Sequence, residues 1–435
     1  MRWKTLEYSG WGRSHRARGD LARPERRADL ARICAETPAP AIGMRRSYGD
    51  AATNDAGRAI DMTRLDRMTG FDPDAGLLEV EAGTRLGEIA AALAPRGWLP
   101  AVLPGTGFAT VGGAIAQDVH GKNHHHAGSF GQHVESLTLL QGGATVEVAP
   151  GTDLFLATLG GLGQTGVIVS ARLRLMRVPG AAMEVRETRA AHWSDHLAAL
   201  ERSDAPYCVG WIDATATGAT LGRGIVEEAR HSAGPVAAQT RARKVALDAP
   251  GLALSAPVVR AFNAAYFNRI PPAGRTRLRA LPDFFFPLDR LHDWNRLYGK
   301  RGFHQFQCVV PPGAAKALRE MLEAVAASGL ASPLAVLKRM GPGRAGMLSF
   351  PMAGWTLAID FPNGPAARDL IARLEAMALA AEGRIYLAKD ALAAPATIRA
   401  MYPELGAWAH EAARADPQGY LATDLVRRLQ LRAPA

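Results

Sequence analysis

The chain is 435 residues long, 48% hydrophobic and 21% charged, which suits a soluble globular protein of two or three domains. It holds no apolar run near the ~18 residues a membrane span needs, and its N-terminus, MRWKTLEYSGWGRSHRARGD, lacks the apolar core of a secretory signal. The net charge of +10 fits an anionic lipid surface or a phosphorylated substrate, a nucleic-acid surface, or plain solvation; no nucleic-acid module accompanies it, so nucleic acid is not expected as a partner.

Residues 38–50 read as a short strand running into a turn, Arg46-Ser47-Tyr48-Gly49-Asp50. Residues 77–81 alternate as a strand, and 87–95 follow as a short helix. Residues 137–140 and 145–148 flank Gln141-Gly142-Gly143-Ala144 as a hairpin, and 167–178 alternate as a half-buried strand. From Val178 the character changes. Residues 303–310 read as a strand, Pro311-Pro312 breaks it, and 314–327 form an amphipathic helix. A strand at 355–361, a helix at 366–381 and a strand at 384–388 complete the pattern. This succession predicts a sheet with helices on one face. Between the two regions, residues 241–281 are Pro-rich, Ala-rich and basic, with apolar patches such as Leu252-Ala253-Leu254, and part of the segment is expected to be mobile. Cys34, Cys208 and Cys308 are scattered, without metal spacing, and fit free thiols in a reducing compartment.

The densest chemistry lies in residues 111–131, VGGAIAQDVHGKNHHHAGSFG. Glycines let a backbone approach a flat or charged ligand closely, and the His, Lys and Asn beside them offer protons and hydrogen bonds. With residues 46–50 upstream and Tyr386-Leu387-Ala388-Lys389-Asp390 downstream, this reads as one flavin site. His120, His124, His125 and His126 invite a metal reading, but consecutive histidines cannot all face one ion, so no metal is expected. Gly161-Leu162-Gly163-Gln164-Thr165-Gly166 matches G-x-G-x-x-G, yet a helix-like stretch precedes it and a strand follows. That reverses the dinucleotide fingerprint. The glycines read instead as a tight turn, either against the cofactor or purely structural.

The chain resembles the flavin-dependent oxidoreductases of the vanillyl-alcohol-oxidase type. The likeness rests on Gly10-Trp11-Gly12-Arg13, RSYGDAA at 46–52, PGT at 104–106, TVGGAIA at 110–116, DVHGKNHH at 118–125 and AGSFG at 127–131. It continues through FHQFQ at 303–307, LSFP at 348–351, AKD at 388–390 and RRL at 427–429, in family order from end to end. The resemblance implies an α+β, two-domain flavoprotein. Its FAD-binding domain of two α+β subdomains spans 1–178, a substrate-binding domain with an antiparallel sheet and helices spans 179–384, and 385–435 return to the FAD-binding domain. It implies FAD held by Ala41, Ile42, Gly43, Met44, Arg45, Arg46, Ser47, Tyr48, Gly49, Asp50 and Ala51. Gly105, Thr110, Val111, Gly112, Gly113, Gln117, Asp118, Val119, His120, Gly166, Val167, Ile168 and Tyr386 are implied as further FAD contacts. Backbone N–H groups of a Ser/Gly loop form a nest that suits a pyrophosphate.

Arg46 stands where covalent relatives carry a flavin-linking His, so the resemblance implies non-covalent FAD. Lys389, His120 and Tyr48 are implied as catalytic, with the Lys389 ammonium stabilising charge that grows on the reduced flavin. Lys122, Trp211, Gln305, Gln307, Lys338, Ala358 and Lys389 are implied to bind substrate. The implied reaction is oxidation of a secondary alcohol of a polyprenyl-phosphate-linked pentose, with quinone or oxygen as final acceptor. A short-chain NAD(P)-dependent reductase is the implied partner, completing an epimerisation of ribose to arabinose for the cell envelope. The expected location is cytoplasmic, peripheral at the inner face of the plasma membrane. Two rivals remain: an alditol or aldonolactone oxidase, and a non-catalytic flavin- or nucleic-acid-binding protein. Departures from the family pattern are Arg45 in place of Gly, Gln117 in place of a small residue, Thr356 in place of Asn and Ala358 in place of Cys. They leave the sugar open.

Overall fold

The computed structural model describes residues 2–235, 239, 241–330 and 332–432. Helix and sheet are mixed along the chain, in three main sheets. A four-stranded sheet of Lys4–Ser9, Arg16–Ala22, Arg58–Asp61 and Ala41–Ile42 comes first. A six-stranded sheet is built around the long strand Val167–Arg177, which pairs antiparallel with Leu77–Glu81, Val134–Gln141 and Trp98–Pro100. The hairpin Val134–Gln141 and Ala144–Val148 forms where the Gly-Gly turn predicts it.

An eight-stranded antiparallel sheet spans the middle of the chain. Its order is Arg275–Ala280, Ala182–Ala190, Gly224–Ser232, Tyr207–Ile212, Ala335–Met340, Gly354–Pro362, Phe303–Val310 and Arg384–Ile385. The helices Ala315–Ala327 and Pro365–Ala380 pack on one face, where Leu318, Leu322, Leu370 and Leu374 meet Leu337, Leu357 and Ile359 in one core. The opposite face carries polar and charged side chains, which the next subsection takes up.

Two expectations change. Residues 241–281 include a 13-residue helix, Ala256–Asn268, and the edge strand Arg275–Ala280. Pro257 falls in the first turn of that helix, where its missing N–H costs nothing. Three arginines alternate on the strand; Arg275 and Arg277 pair with buried Glu187 and Arg279 with Glu227, so the basic composition of this stretch is the register of a sheet edge. The predicted strand at 384–388 stops at Ile385; Tyr386 to Lys389 turn away, with the Lys389 N–H bonded to the Tyr386 carbonyl (2.9 Å).

Three remote segments meet at Arg428. Its guanidinium grips both oxygens of Asp50 (2.7 and 2.9 Å) and one of Asp390 (2.8 Å). The two carboxylates are 6% and 2% exposed. The Tyr48 N–H donates to the Ala388 carbonyl (2.9 Å), and a Cβ on Gly49 would collide with the Asp390 carbonyl. Residues 46–52 and 386–390 are thereby one surface. Removing Arg428 leaves two buried carboxylates unpaired, which costs about 3 kcal/mol. Arg428→Ala is therefore expected to lower unfolding stability in urea by that amount; a loss under about 1 kcal/mol would show that the bridge is dispensable.

Candidate active site

A cavity of ≈ 630 Å³ lies between the polar face of the eight-stranded sheet and the loops of the first two sheets. Directly paired residues in a sheet project to the same face. One such row runs across the strands: Arg275 beside Glu187, Glu187 beside Glu227, Glu227 beside Val209, then Trp211, Val336, Ala358 and Gln307. Except for Arg275 and Glu187, all of these line the cavity.

The opposite wall is built by glycine-rich loops. Among the described residues, the backbone N–H groups of Met44, Arg45, Arg46 and Ser47 donate to no protein acceptor. Arg45 sits in the left-handed region (φ 50°). This explains why the family pattern has Gly there, since an L-residue pays roughly 1 kcal/mol for that conformation. An αL residue among free N–H groups is the geometry of an anion nest. Gly43 is held against Thr110, whose Oγ1 also accepts from the Gly113 N–H (3.2 Å). Gly105 is different. It lies outside the left-handed region and has no protein atom within 4 Å of a built Cβ, so nothing in the polypeptide requires glycine there. The bare edge it turns to the cavity is explained by a ligand that passes close by. Free N–H groups at one end and a bare glycine edge between them fit a dinucleotide flavin.

At the other end, side chains converge. Lys389 lies over the Tyr48 ring, 3.6 Å from its centre. Burial lowers the Lys389 pKa, and the Asp360 carboxylate opposes that; Asp360, fully buried, is itself raised. Asp360 accepts from Gln305 Nε2 (2.5 Å) and from the Tyr298 hydroxyl (3.2 Å). The Gln305 amide nitrogen is thus committed, leaving its oxygen for the cavity. Lys338 Nζ is 3.0 Å from His120 Nδ1, and His120 Nε2 is 3.0 Å from the Gln307 amide. Desolvation and then the Lys338 charge hold His120 well below 6.5, so the ring is neutral and carries one N–H. Gln307 Nε2 also donates to the Thr356 hydroxyl (3.2 Å). The Gln307 amide nitrogen is therefore committed like that of Gln305, and its oxygen is the group left for the cavity. Two amide oxygens side by side suit a sugar hydroxyl that donates to them.

The cavity gathers most of the sequence-derived residues: Ala41 to Tyr48, Ala51, Gly105, Thr110, Gly112, Gly113, Gln117, Val119, His120, Gly166, Ile168, Lys122, Trp211, Gln305, Gln307, Lys338, Ala358, Tyr386 and Lys389. Five lie behind it. Gly49 and Asp50 belong to the Arg428 joint, and Val111 and Val167 are core side chains. Asp118 is fully buried and accepts from the N–H groups of Gly131 (2.8 Å) and Ala345 (3.3 Å), closing the motif loop on itself. Leu162, Gly163 and Gly166 of the G-x-G-x-x-G turn face the cavity. Sequence reasoning missed Asp289, Tyr266, Arg269, Arg277, Arg279 and Glu227, which also line it. The sequence signal for the three arginines was the basic composition of residues 241–281; Asp289 and Glu227 lie outside that stretch and gave none. Among the described residues no three His, Cys, Asp or Glu side chains gather to hold a metal ion. Arg46 is sandwiched between the rings of Trp11 (3.9 Å) and Phe108 (4.5 Å).

Residues 21–149 match the FAD binding domain family. The chain is 37% identical over 415 residues to decaprenylphosphoryl-β-D-ribose oxidase of Mycolicibacterium smegmatis, covering 90% of this chain and 89% of that protein. It is 36% identical over 366 residues to an uncharacterised protein of Streptomyces coelicolor, covering 80% of this chain and all of the other. A shorter match, 30% over 178 residues, links 40% of the chain to 41% of L-gulono-1,4-lactone dehydrogenase of Mycobacterium tuberculosis. The chain belongs to the vanillyl-alcohol-oxidase (PCMH-type) family of FAD-dependent oxidoreductases. It is an FAD enzyme acting on CH–OH groups, and it is similar to decaprenylphosphoryl-β-D-ribose oxidase along nearly its whole length.

Gly105→Leu places a side chain where only ligand can be. The variant is expected to keep the wild-type melting temperature of the apoprotein and to purify with little or no FAD. Full FAD occupancy in a folded variant would show that the flavin does not pass Gly105.

Proposed function

We propose that this enzyme oxidises a secondary alcohol on the pentose of a polyprenyl-phosphate-linked sugar, in the manner of a decaprenylphosphoryl-ribose 2'-oxidase. The single observation that carries the reading is the paired presentation of Gln305 and Gln307 beside Lys338 and Lys389, in a cavity with a lane of further cations leading outward. Bound FAD supplies the hydride acceptor. Lys389 lies over the Tyr48 ring in a low-dielectric pocket, with the Asp360 charge favouring its ammonium, which there stabilises growing negative charge far more than in water. Gln305 and Gln307 orient the hydroxyl. Lys338, whose pKa burial lowers to about 7, is poised to accept the hydroxyl proton, and His120 fixes its position.

In this reading residues 1–178 and 385–435 form the FAD-binding domain and 179–384 the substrate domain, supported by the division between the smaller sheets and the eight-stranded one. Quinone or oxygen takes the electrons, and a short-chain reductase acts on the ketone to complete an epimerisation for the cell envelope. The flavin is held without a covalent bond: Arg46 occupies the linking position, and acid denaturation is expected to release FAD intact rather than leave it on the polypeptide. The test of the substrate is anaerobic mixing of the holoenzyme with a farnesylphosphoryl pentose or with free alditols and aldonolactones. Flavin bleaching by the lipid-linked sugar alone is the expected result. Bleaching by a free alditol or lactone alone would replace the reading with its rival, which the match to L-gulono-1,4-lactone dehydrogenase supports.

Peripheral membrane contact is part of the proposal. No helix of the described residues is long and apolar enough to cross a membrane. Leu247 and Leu252 are 78% and 75% exposed beside Arg243 and Lys244. Apolar side chains with basic neighbours suit an anionic leaflet. The helix Ala256–Asn268 cannot be deleted to test this, because Asn263 is buried and donates to Asp213 (2.7 Å). Leu247→Ser with Leu252→Ser avoids that. The double variant is expected to sediment less with anionic vesicles at low salt; equal sedimentation would exclude this patch.

A further inference from the structure

We propose that the outer end of the cavity is a phosphate seat: Lys122, Arg269, Arg277 and Arg279 hold the phosphate ester of a lipid-linked sugar, and Tyr266, Phe262 and Val258 lead its apolar chain to the surface. The inference rests on the substrate reading above and gives that substrate a place.

All four cations line the cavity. With Arg275 behind them, they share two carboxylates, Glu187 and Glu227. Glu187, fully buried, takes Arg269 (2.7 Å), Arg275 (2.7 Å) and Arg277 (3.1 Å). Glu227 takes Arg279 at 3.4 Å and Arg269 at 3.8 Å. Five cations against two carboxylates leave this end positive. One carboxylate partner would suffice to pin the edge strand; the surplus needs another anion. Among the described residues Arg269 Nε is buried without a partner, and Lys122 donates to the Phe284 carbonyl (2.5 Å) alone and lies over the Phe284 ring (4.0 Å from its centre).

The cations also form a continuous lane. Lys122 and the three arginines line the same cavity as Lys338 and Lys389. A sugar bound at Lys338 and Lys389 therefore has these cations along the way out for the phosphate it carries. Beyond them, Val258, Phe262 and Tyr266 are spaced four apart on the helix Ala256–Asn268 and share one face. The Tyr266 ring is 4.6 Å from that of Trp211 in the cavity and 5.9 Å from that of Phe262. Phe262 and Val258 are 51% and 46% exposed, so the stripe runs from cavity to solvent. Arg269 stacks on Tyr266 (4.2 Å) at its inner end. Charge inside and an apolar stripe outside match a phosphate head with a polyprenyl tail.

The test uses binding rather than turnover. Calorimetry on the oxidised holoenzyme is run with farnesyl phosphate, which has no sugar to oxidise, and with inorganic phosphate and farnesol as separate probes. Arg277→Gln is half exposed and keeps two of the three Glu187 pairs, so it folds; Arg279→Gln is the second variant. Each is expected to weaken farnesyl phosphate at least tenfold and to leave farnesol unchanged. Phe262→Ser is expected to weaken farnesyl phosphate and leave inorganic phosphate unchanged. If farnesyl phosphate does not bind, or binds equally to wild type and to both arginine variants with normal FAD content, the seat is excluded. If it binds as expected and no lipid-linked pentose bleaches the flavin, the seat stands and the oxidase reading falls. If lipid-linked pentose bleaches the flavin equally well in both arginine variants, with unchanged KM, the oxidase reading stands and the seat falls.

Discussion

Arg428 is the joint on which the site depends. It lies near the C-terminus and closes on Asp50 and Asp390, which belong to the loop that follows the anion nest and to the turn that carries Lys389. It braces from behind the buried turn at 386–390, to which the Tyr48 N–H is also bonded. There the Tyr48 ring and the Lys389 ammonium face each other at 3.6 Å. A bidentate, planar guanidinium serves here because it reaches two carboxylates in fixed geometry, which a lysine does not. The chain's last turn thus sets the reacting end of a cavity whose nest is formed hundreds of residues earlier.

The second constraint is electrostatic. Burial lowers Lys338 to about 7 and Lys122 to about 8, and lowers Lys389 as well. Lys122 and Lys389 both act against the Lys338 charge, while Asp360 favours the charge of Lys389 and Glu227 that of Lys122. Such a cavity is arranged for anions. On the reading proposed above, flavin pyrophosphate at the nest, a phosphate ester at the mouth and transient charge at Lys389 satisfy it in turn.

The parts of the fold with clear period were legible from sequence. The strand at 303–310 and the helices after Pro312 and Gly364 appear with nearly the expected bounds, because alternation, proline breaks and apolar spacing all agreed there. The edge strand Arg275–Ala280 was not legible. Its alternating arginines pair with Glu187 and Glu227, far away in sequence, so local pattern gave only charge. The site was legible where the motifs are contiguous, as in DVHGKNHH and RSYGD. Asp50 and Asp118 read as ligand contacts because they sit inside those motifs; the fold uses them to hold the loops from behind. Asp360 and Tyr298 were invisible for the opposite reason: their role arises only from packing against Gln305.

The central claim is that a flavin site is completed by one charge, the Lys389 ammonium lying over Tyr48 and favoured by the Asp360 charge. The most direct measurement is the anaerobic rate of flavin reduction in Lys389→Met against wild type, at equal FAD content. The account predicts that FAD stays bound and reduction slows about a hundredfold, the roughly 3 kcal/mol a positioned charge contributes in a dry site. Reduction at near the wild-type rate would contradict it.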